Sequence, residues 1–238
     1  MRAILTVGLG AILASHVWGQ ERMPEADDVL RTARYVATLK QTSLEGSIRK
    51  DGMKPAPVAL HLIEGQGIEF QVWDQKVWNK FQLKLDNDGY ELFEGVGEQI
   101  RKFDEGKVLQ PVLGTDLSYE DLAMSFLYWP NGKVTKSERL GMGRESWKVE
   151  LVNPRAKGLY KTVHVWVHKK SGALLQVHGF RADGSPAKEF KVEKIMNVGG
   201  GEYSLKQMKV TSWRSGRVAG ITYLEFEKPK AGGPRGLR

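Results

Sequence analysis

The stretch "GIEFQVWDQKVWNKFQLKL", Gly67 to Leu85, decides the fold class. Ile68, Phe70 and Val72 alternate with Glu69, Gln71 and Trp73. After Asp74 the alternation resumes, with Val77, Phe81, Leu83 and Leu85 set against Trp78, Lys80, Gln82 and Lys84. A period of two belongs to a strand, because successive side chains leave it on opposite faces. Two such runs joined by a few polar residues read as antiparallel neighbours with one dry face and one wet face.

The same period runs outward in both directions, starting at Leu44. "PVALHLIEG" precedes the stretch and "DGYELFEG" follows it. Further on come "SWKVELVN", "YKTVHVWVHKK", "ALLQVHGFRA", "AKEFKVEKIM", "YSLKQMKVTSW" and "GITYLEFEK". The connections "DNDG", "KSG", "ADGS", "NVGGG" and "RSGR" carry the glycines and small polar residues of tight turns. Strands joined this way form a meandering antiparallel sheet, and ten or so of them present more dry face than water tolerates. The sheet must curl or be covered.

Two segments have helical signals. "MPEADDVLRTARYVATLKQTSL" offers Pro24 for a first turn, Glu25, Asp27 and Asp28 for the positive end of the dipole, and an apolar side of Val29, Leu30, Ala33, Val36 and Ala37. Its Arg31 and Arg34 could face solvent or the rim of a cavity, and are read as facing solvent. The second segment, "GTDLSYEDLAMSFLYWP", opens with three carboxylates, Asp116, Glu120 and Asp121. Ser118 with Asp121 approximates a capping box, and Trp129-Pro130-Asn131-Gly132 is a stop. Asp116 is the alternative N-cap. A glycosidase would instead need its two acids about 5 or 9 Å apart across a sugar. Capping and the dipole account for adjacent acids in a first turn, so the cluster reads as a helix start. Ser118–Tyr128 is then a lid between "VLGTD" and "WPNGK".

The ends of the chain have their own signatures. "MRAILTVGLGAILASHVWGQ" has Arg2, an apolar run from Ala3 to Ala14, and Val17 and Gly19 placed for a cut before Gln20. A run of about a dozen residues is short of the roughly 20 that span a bilayer, and fits a secretory leader. Residues 1–19 are expected to be removed and residues 20–228 to form one domain in the periplasm. Residues 229–238 read as a disordered basic tail. The 238 residues include no Cys, which excludes disulfides, thiol catalysis, Cys-bound metal and an acylated Cys after the leader. The formal charge of +8 drops by one when Arg2 leaves, and points to anionic lipid headgroups ahead of nucleic acid. There is no GxSxG, HExxH or Walker loop, and no enzyme is expected. His164 and His168 lie roughly 13 Å apart along one strand, too far to share an ion. If "KSG" is a three-residue loop, His178 faces His164, but the pair reads as a polar outer face rather than a metal site.

The leader, the lone helix, "LGTDLSYEDL" in mid-chain and "VHVWVHKKSGALLQVHGFRADGSPAKEFKVEKI" after it resemble the LolA-like family, in particular its outer-membrane lipoprotein-sorting branch. The resemblance runs from Val29 to Glu227 and is specific at Gly114–Leu122 and Thr162–Ile195. His164 and His168 stand where that branch often has acidic or small residues. The resemblance implies a mainly β fold: a strongly curved antiparallel sheet of about eleven strands, forming an incomplete half-barrel. An N-terminal helix and a mid-chain lid helix would cover it. It implies a carrier without cofactor that takes the acyl chains of a lipoprotein or lipid. Transient membrane contact and an acceptor protein would accompany that role. The candidate lipid-binding residues are Leu60, Leu62, Ile68, Phe70, Val72, Phe81, Leu83, Val163, Val165 and Val167 on the sheet, with Leu122 and Phe126 on the lid. Each acyl methylene buried there would gain about 0.8 kcal/mol. The same residues would equally serve as a filled core. A second reading makes the fold an envelope sensor, holding a protein partner on an outer face marked by Trp73, Trp78 and Trp166.

Overall fold

A computed structural model describes residues 22–38, 42–63, 66–86, 89–155 and 157–229. The expected leader, and the expected tail apart from Pro229, lie outside the described residues. One helix, α1 (Ala26–Thr38), leads into thirteen strands: β1 (Thr42–Lys50), β2 (Ala56–Ile63), β3 (Gly67–Trp73), β4 (Trp78–Asp86), β5 (Gly89–Val96), β6 (Gln99–Lys102), β7 (Lys133–Leu140), β8 (Arg144–Val152), β9 (Thr162–His168), β10 (Leu174–Phe180), β11 (Pro186–Gly199), β12 (Glu202–Arg214) and β13 (Arg217–Phe226). The count exceeds the expected eleven. The strands without an alternating signal include β6 and β7, where "QIRK" is exposed throughout and "KVTKSERL" is largely polar. Edge strands face water with more of their surface and need no continuous dry face.

All strands lie in one sheet, in the order β6-β5-β4-β3-β2-β1-β13-β12-β11-β10-β9-β8-β7. Every pairing is antiparallel, and each joins chain neighbours except β1 with β13. That pairing sets Gly46 against Phe226 and Ile48 against Leu224, and so joins the two halves of the chain in the middle of the sheet. The edges β6 and β7 do not pair with each other, so the barrel stays open. They are nevertheless consecutive in the chain. The segment between them therefore runs from one edge of the sheet to the other, and the topology makes it a cover.

The dry faces of both halves meet in one main core, which includes Leu44, Ile48, Val58, Phe70, Val72, Val149, Leu151, Val163, Val165, Val210 and Leu224. From α1 it takes Val29, Leu30 and Ala33 of the expected stripe, with Ala26 a turn earlier, while Val36 is only partly buried; the helix itself starts two residues after Pro24. Gly172, in the β9–β10 turn at φ +69°, lies so close to α1 that a Cβ there would run into Thr32.

The expected single lid helix, Ser118–Tyr128, is not what forms. An α-helical turn, α2 (Tyr119–Ala123), ends at Met124, whose φ of 44° and ψ of 35° are left-handed; a 3₁₀ turn then covers Ser125–Tyr128. In a straight helix Leu122 and Phe126 would share one stripe. The break instead lets Ala123 join a small cluster with Phe81 and Phe103, while Phe126 and Leu127 enter the main core. Burial in two clusters overrides helical continuity.

Candidate functional site

The three carboxylates at the lid's start are spent on the sheet and on the loop between β8 and β9. Asp121 is the centre. Its Oδ2 accepts from the Ser118 N–H at 2.7 Å and the Ser118 hydroxyl at 2.8 Å, which realises the capping box. The same oxygen takes Lys188 Nζ of β11 at 2.5 Å, and Oδ1 takes the hydroxyl of Tyr160. The Asp121 side chain is 0% exposed and that of Lys188 11%. Burial, with Asp121 next in effect, pushes the Tyr160 phenol well above its ordinary range. Tyr160 in turn packs so closely on Gly179 that a Cβ there would strike its ring.

Asp116 holds the entry to the lid. It accepts from Ser212 Oγ of β12 at 2.7 Å and Thr222 Oγ1 of β13 at 2.9 Å, and pairs with Lys50 of β1 at 3.4 Å. Its own N–H donates to the Thr222 hydroxyl, so it clamps to the sheet rather than serving as the N-cap of α2. Gly220 is what lets the carboxylate lie this low, since a Cβ there would collide with it. Glu120, also buried, accepts the Leu159 N–H at 3.0 and 3.2 Å. Burial raises its pKa above the ordinary glutamate range, against the lowering effect of the Leu159 bond. A capping role alone therefore understates these acids: capping and tethering coincide in Asp121, and tethering is the whole role of Asp116.

The raised pKa of Glu120 has a definite sign. The folded protein holds this proton more tightly than the unfolded chain does. Stability from this group is thus largest below the ordinary glutamate pKa of about 4.3 and falls as pH rises through the raised folded value. Glu120→Gln is expected to flatten that part of the stability curve. Melting temperatures of both proteins across mildly acidic pH check it; parallel curves would contradict the assignment.

Beyond the tethers the lid meets β3 and β4 along an apolar seam. Ile68, Leu83 and Leu85 face Ala123, Met124, Leu127 and Tyr128, and the space left is about 10 Å³. That is about the room one water needs, against the roughly 300–1,000 Å³ of a ligand site. Arg34 closes the seam from α1. Its Nη1 donates to the Leu127 carbonyl at 3.0 Å, and its guanidinium sits 5.0 Å from the Tyr128 ring centroid. Of the two placements open to Arg34, solvent is corrected in favour of the rim: the guanidinium finds a carbonyl and a ring that sequence spacing does not reveal. Tyr128 also stacks on Tyr90 at 4.9 Å, and burial raises the pKa of both phenols.

The candidate lipid-binding residues divide between these regions. Ile68 and Leu83 line the seam. Phe70, Val72, Phe126, Val163, Val165 and Val167 are packed in the main core, with Leu60 against its margin; Phe81 holds the small cluster, Leu122 touches both clusters, and Leu62 is half-buried on β2. Arg34, Leu85, Met124, Leu127 and Tyr128 were not among the candidates. Leu85 belongs to the same dry face as Leu83 and was findable from the alternation; the others depend on the lid break.

On the convex face the register sets Glu150, His164, His178 and Glu189 side by side across β8 to β11; His178 lies opposite His164, though through a longer turn, Lys169 to Ala173, and a register shift between Leu174 and Gln176. His178 Nε2 meets Glu189 at 2.8 Å, while His164 Nε2 is 3.7 Å from Glu150. Among the described residues no three of His, Asp and Glu converge on one metal-binding point. Trp166 is buried between His164, His178 and Lys148 and donates to Glu138, so the expectation of an exposed tryptophan there is corrected. Long polar neighbours on adjacent strands cover it.

A protein-family model described as "Uncharacterized protein" matches residues 86–231, which take in β5 to β13 and the lid. No curated protein matches. Three solved structures share the fold. A proposed outer membrane lipoprotein-sorting protein domain from Vibrio parahaemolyticus aligns with a TM-score of 0.65 at 15% identity, over 85% of this chain and 91% of that one. A DUF1329 family protein from Desulfovibrio piger gives 0.63 at 15%, over 85% and 90%. A LolA superfamily protein from Nitrosomonas europaea gives 0.61 at 14%, over 86% and 92%. The fold is thus LolA-like, an open antiparallel half-barrel with a helical lid.

Proposed function

We propose, from the premise that this chain belongs to the uncharacterized-protein family whose model spans residues 86–231, that it is a non-enzymatic carrier. Apolar chains of a lipid or lipoprotein would enter between the lid and β3–β4. The observation that carries the reading is the seam: a shut, apolar junction, lined by Ile68, Leu83, Leu127 and Tyr128, with one arginine across its rim. The lid's tethers hold Asp116, Glu120 and Asp121, at or before α2. Met124 to Tyr128 lack such carboxylates and are held by the apolar packing of Phe126 and Leu127 and by Arg34, so this end would swing once those contacts are replaced while the other stays anchored. The left-handed Met124 is the natural pivot. Opening exposes the dry faces of β3 and β4, and an acyl chain would replace the lid's contacts with its own.

Further points of the reading concern location and partners. The carrier would be exported, with a leader cut near Gly19–Gln20, and would work in the periplasm in outer-membrane lipoprotein sorting. It would touch membranes transiently and pass cargo to an acceptor protein. Among the described residues no helix is long and apolar enough to cross a membrane.

Native mass spectrometry of protein exported in a bacterial host and purified without detergent tests the cargo. A discrete adduct, identified after solvent extraction as phospholipid or acylated peptide, is the expected result. A protein that is empty and takes up no added lipid or lipopeptide would overturn the carrier reading.

A further inference from the structure

The hairpin of β11 and β12 outruns the sheet. On one side β11 is last paired with β10 at Lys191–Gln176; on the other, β12 is first paired with β13 at Gln207–Glu225. The remainder, out to Gly199 and Glu202, is a ribbon of two strands bonded only to each other. Two bulges at its foot, around Lys194, turn it relative to the sheet. Its tip is Gly199-Gly200-Gly201 with φ of +117°, +59° and +78°, a run that other residues adopt only with strain, and a Cβ at any of them would have nothing within 4 Å. Met196 and Leu205 turn back against the core, whereas Tyr203 is 66% and Ile195 42% exposed.

The charge around this ribbon is as uneven as its polarity. From Lys191 to Lys209 there are four lysines and two glutamates. Lys194 and Lys206 have no ion-pair partner among the described residues, and both line an open groove of about 340 Å³ at the ribbon's foot, floored by Gly46 and Phe226. Glu225, engaged by the Gln207 amide at 2.5 Å, and Glu227 also line it. A ring near the tip and an aliphatic chain nearer the foot, both exposed and set beside those lysines, form the arrangement that seats a protein at the headgroup level of an anionic bilayer: rings and aliphatic chains settle at the interface while lysines stay on the phosphates.

We infer that the β11–β12 ribbon is the bilayer-docking element of this protein, with Tyr203 and Ile195 entering the interface and Lys194 and Lys206 on lipid phosphates. The inference rests on the membrane contact in the reading above, and not on its cargo. The test is flotation of the full chain with vesicles of phosphatidylcholine alone and with 30% phosphatidylglycerol added. Wild type is expected to float with the anionic vesicles and to be released by high salt. Tyr203→Glu/Ile195→Glu and Lys194→Glu/Lys206→Glu are each expected to lower partitioning by at least about tenfold. Unchanged melting temperatures would confirm that both variants fold, since the altered side chains lie outside the core. Wild type that floats with neither vesicle overturns the membrane contact and the ribbon together. Variants that float like wild type overturn the ribbon alone.

Discussion

Asp121→Ala is expected to destabilise the protein by about 3–5 kcal/mol, the cost of removing one partner from a buried ion pair. The carboxylate serves three groups from three segments: the Ser118 cap, the Tyr160 hydroxyl and the Lys188 ammonium. Without it an ammonium with an 11% exposed side chain loses its counter-ion. The bare pair is not what makes the loss large; the stranded lysine and phenol are. Denaturant unfolding measures the effect. The Arg139–Glu145 pair is the control, with side chains 68% and 50% exposed, and Glu145→Ala should stay within about 1 kcal/mol. Adding Lys188→Met to Asp121→Ala should recover part of the loss, because it removes the stranded charge. If Asp121→Ala costs no more than Glu145→Ala, the lid is not anchored there.

Arg34→Ala is expected to act on the lid with far less effect on the sheet. A hydrogen bond from a charged donor contributes about 1.5–3 kcal/mol, so the open lid should become roughly 10- to 100-fold more populated. Hydrogen exchange reads this directly. The amides of Leu127 and Trp129, bonded to Met124 and Phe126, should exchange faster by that factor, while those of β9 in the core keep their protection. Arg34→Lys retains the charge but not the flat guanidinium that lies on Tyr128, and should fall between the two. Faster uptake of lipid by Arg34→Ala would join the latch to the proposed carrier function. Lid amides that exchange as in wild type would remove Arg34 from the mechanism.

Legibility in the sequence followed the physics of burial. Where one face is dry and the other wet, as in Gly67–Leu85 or Thr162–His168, the period of two is visible and the strands fell where expected. Where both faces meet water, as in β6, no pattern exists to read. The acidic cluster was legible as a helix start because a cap is local. Its tethers were not, since Tyr160, Lys188, Ser212 and Thr222 lie far along the chain and meet it only through the sheet register. Arg34 failed for the same reason: its partner, the Leu127 carbonyl, is a backbone atom, which no residue type announces. The break at Met124 was hidden because helical spacing shows which residues share a stripe, but not that two separate clusters compete for them.

The pairing of β1 with β13 has a consequence for how the molecule is assembled. Every other pairing joins consecutive strands and can form as soon as its hairpin exists. The central one must wait for Phe226 to reach Gly46, after every other strand described has been made. Contacts of such long sequence separation form slowly, because the loop they close is large. Until that moment the two half-sheets each present a bare edge where the middle will be. The lid, already tied to both outer edges by its connections, then keeps the halves within reach of each other as an intramolecular tether. The same pairing brings the first and last of the described strands together, so a permutant that links β13 to α1 and opens the chain at a surface turn should turn the slowest contact into a local one.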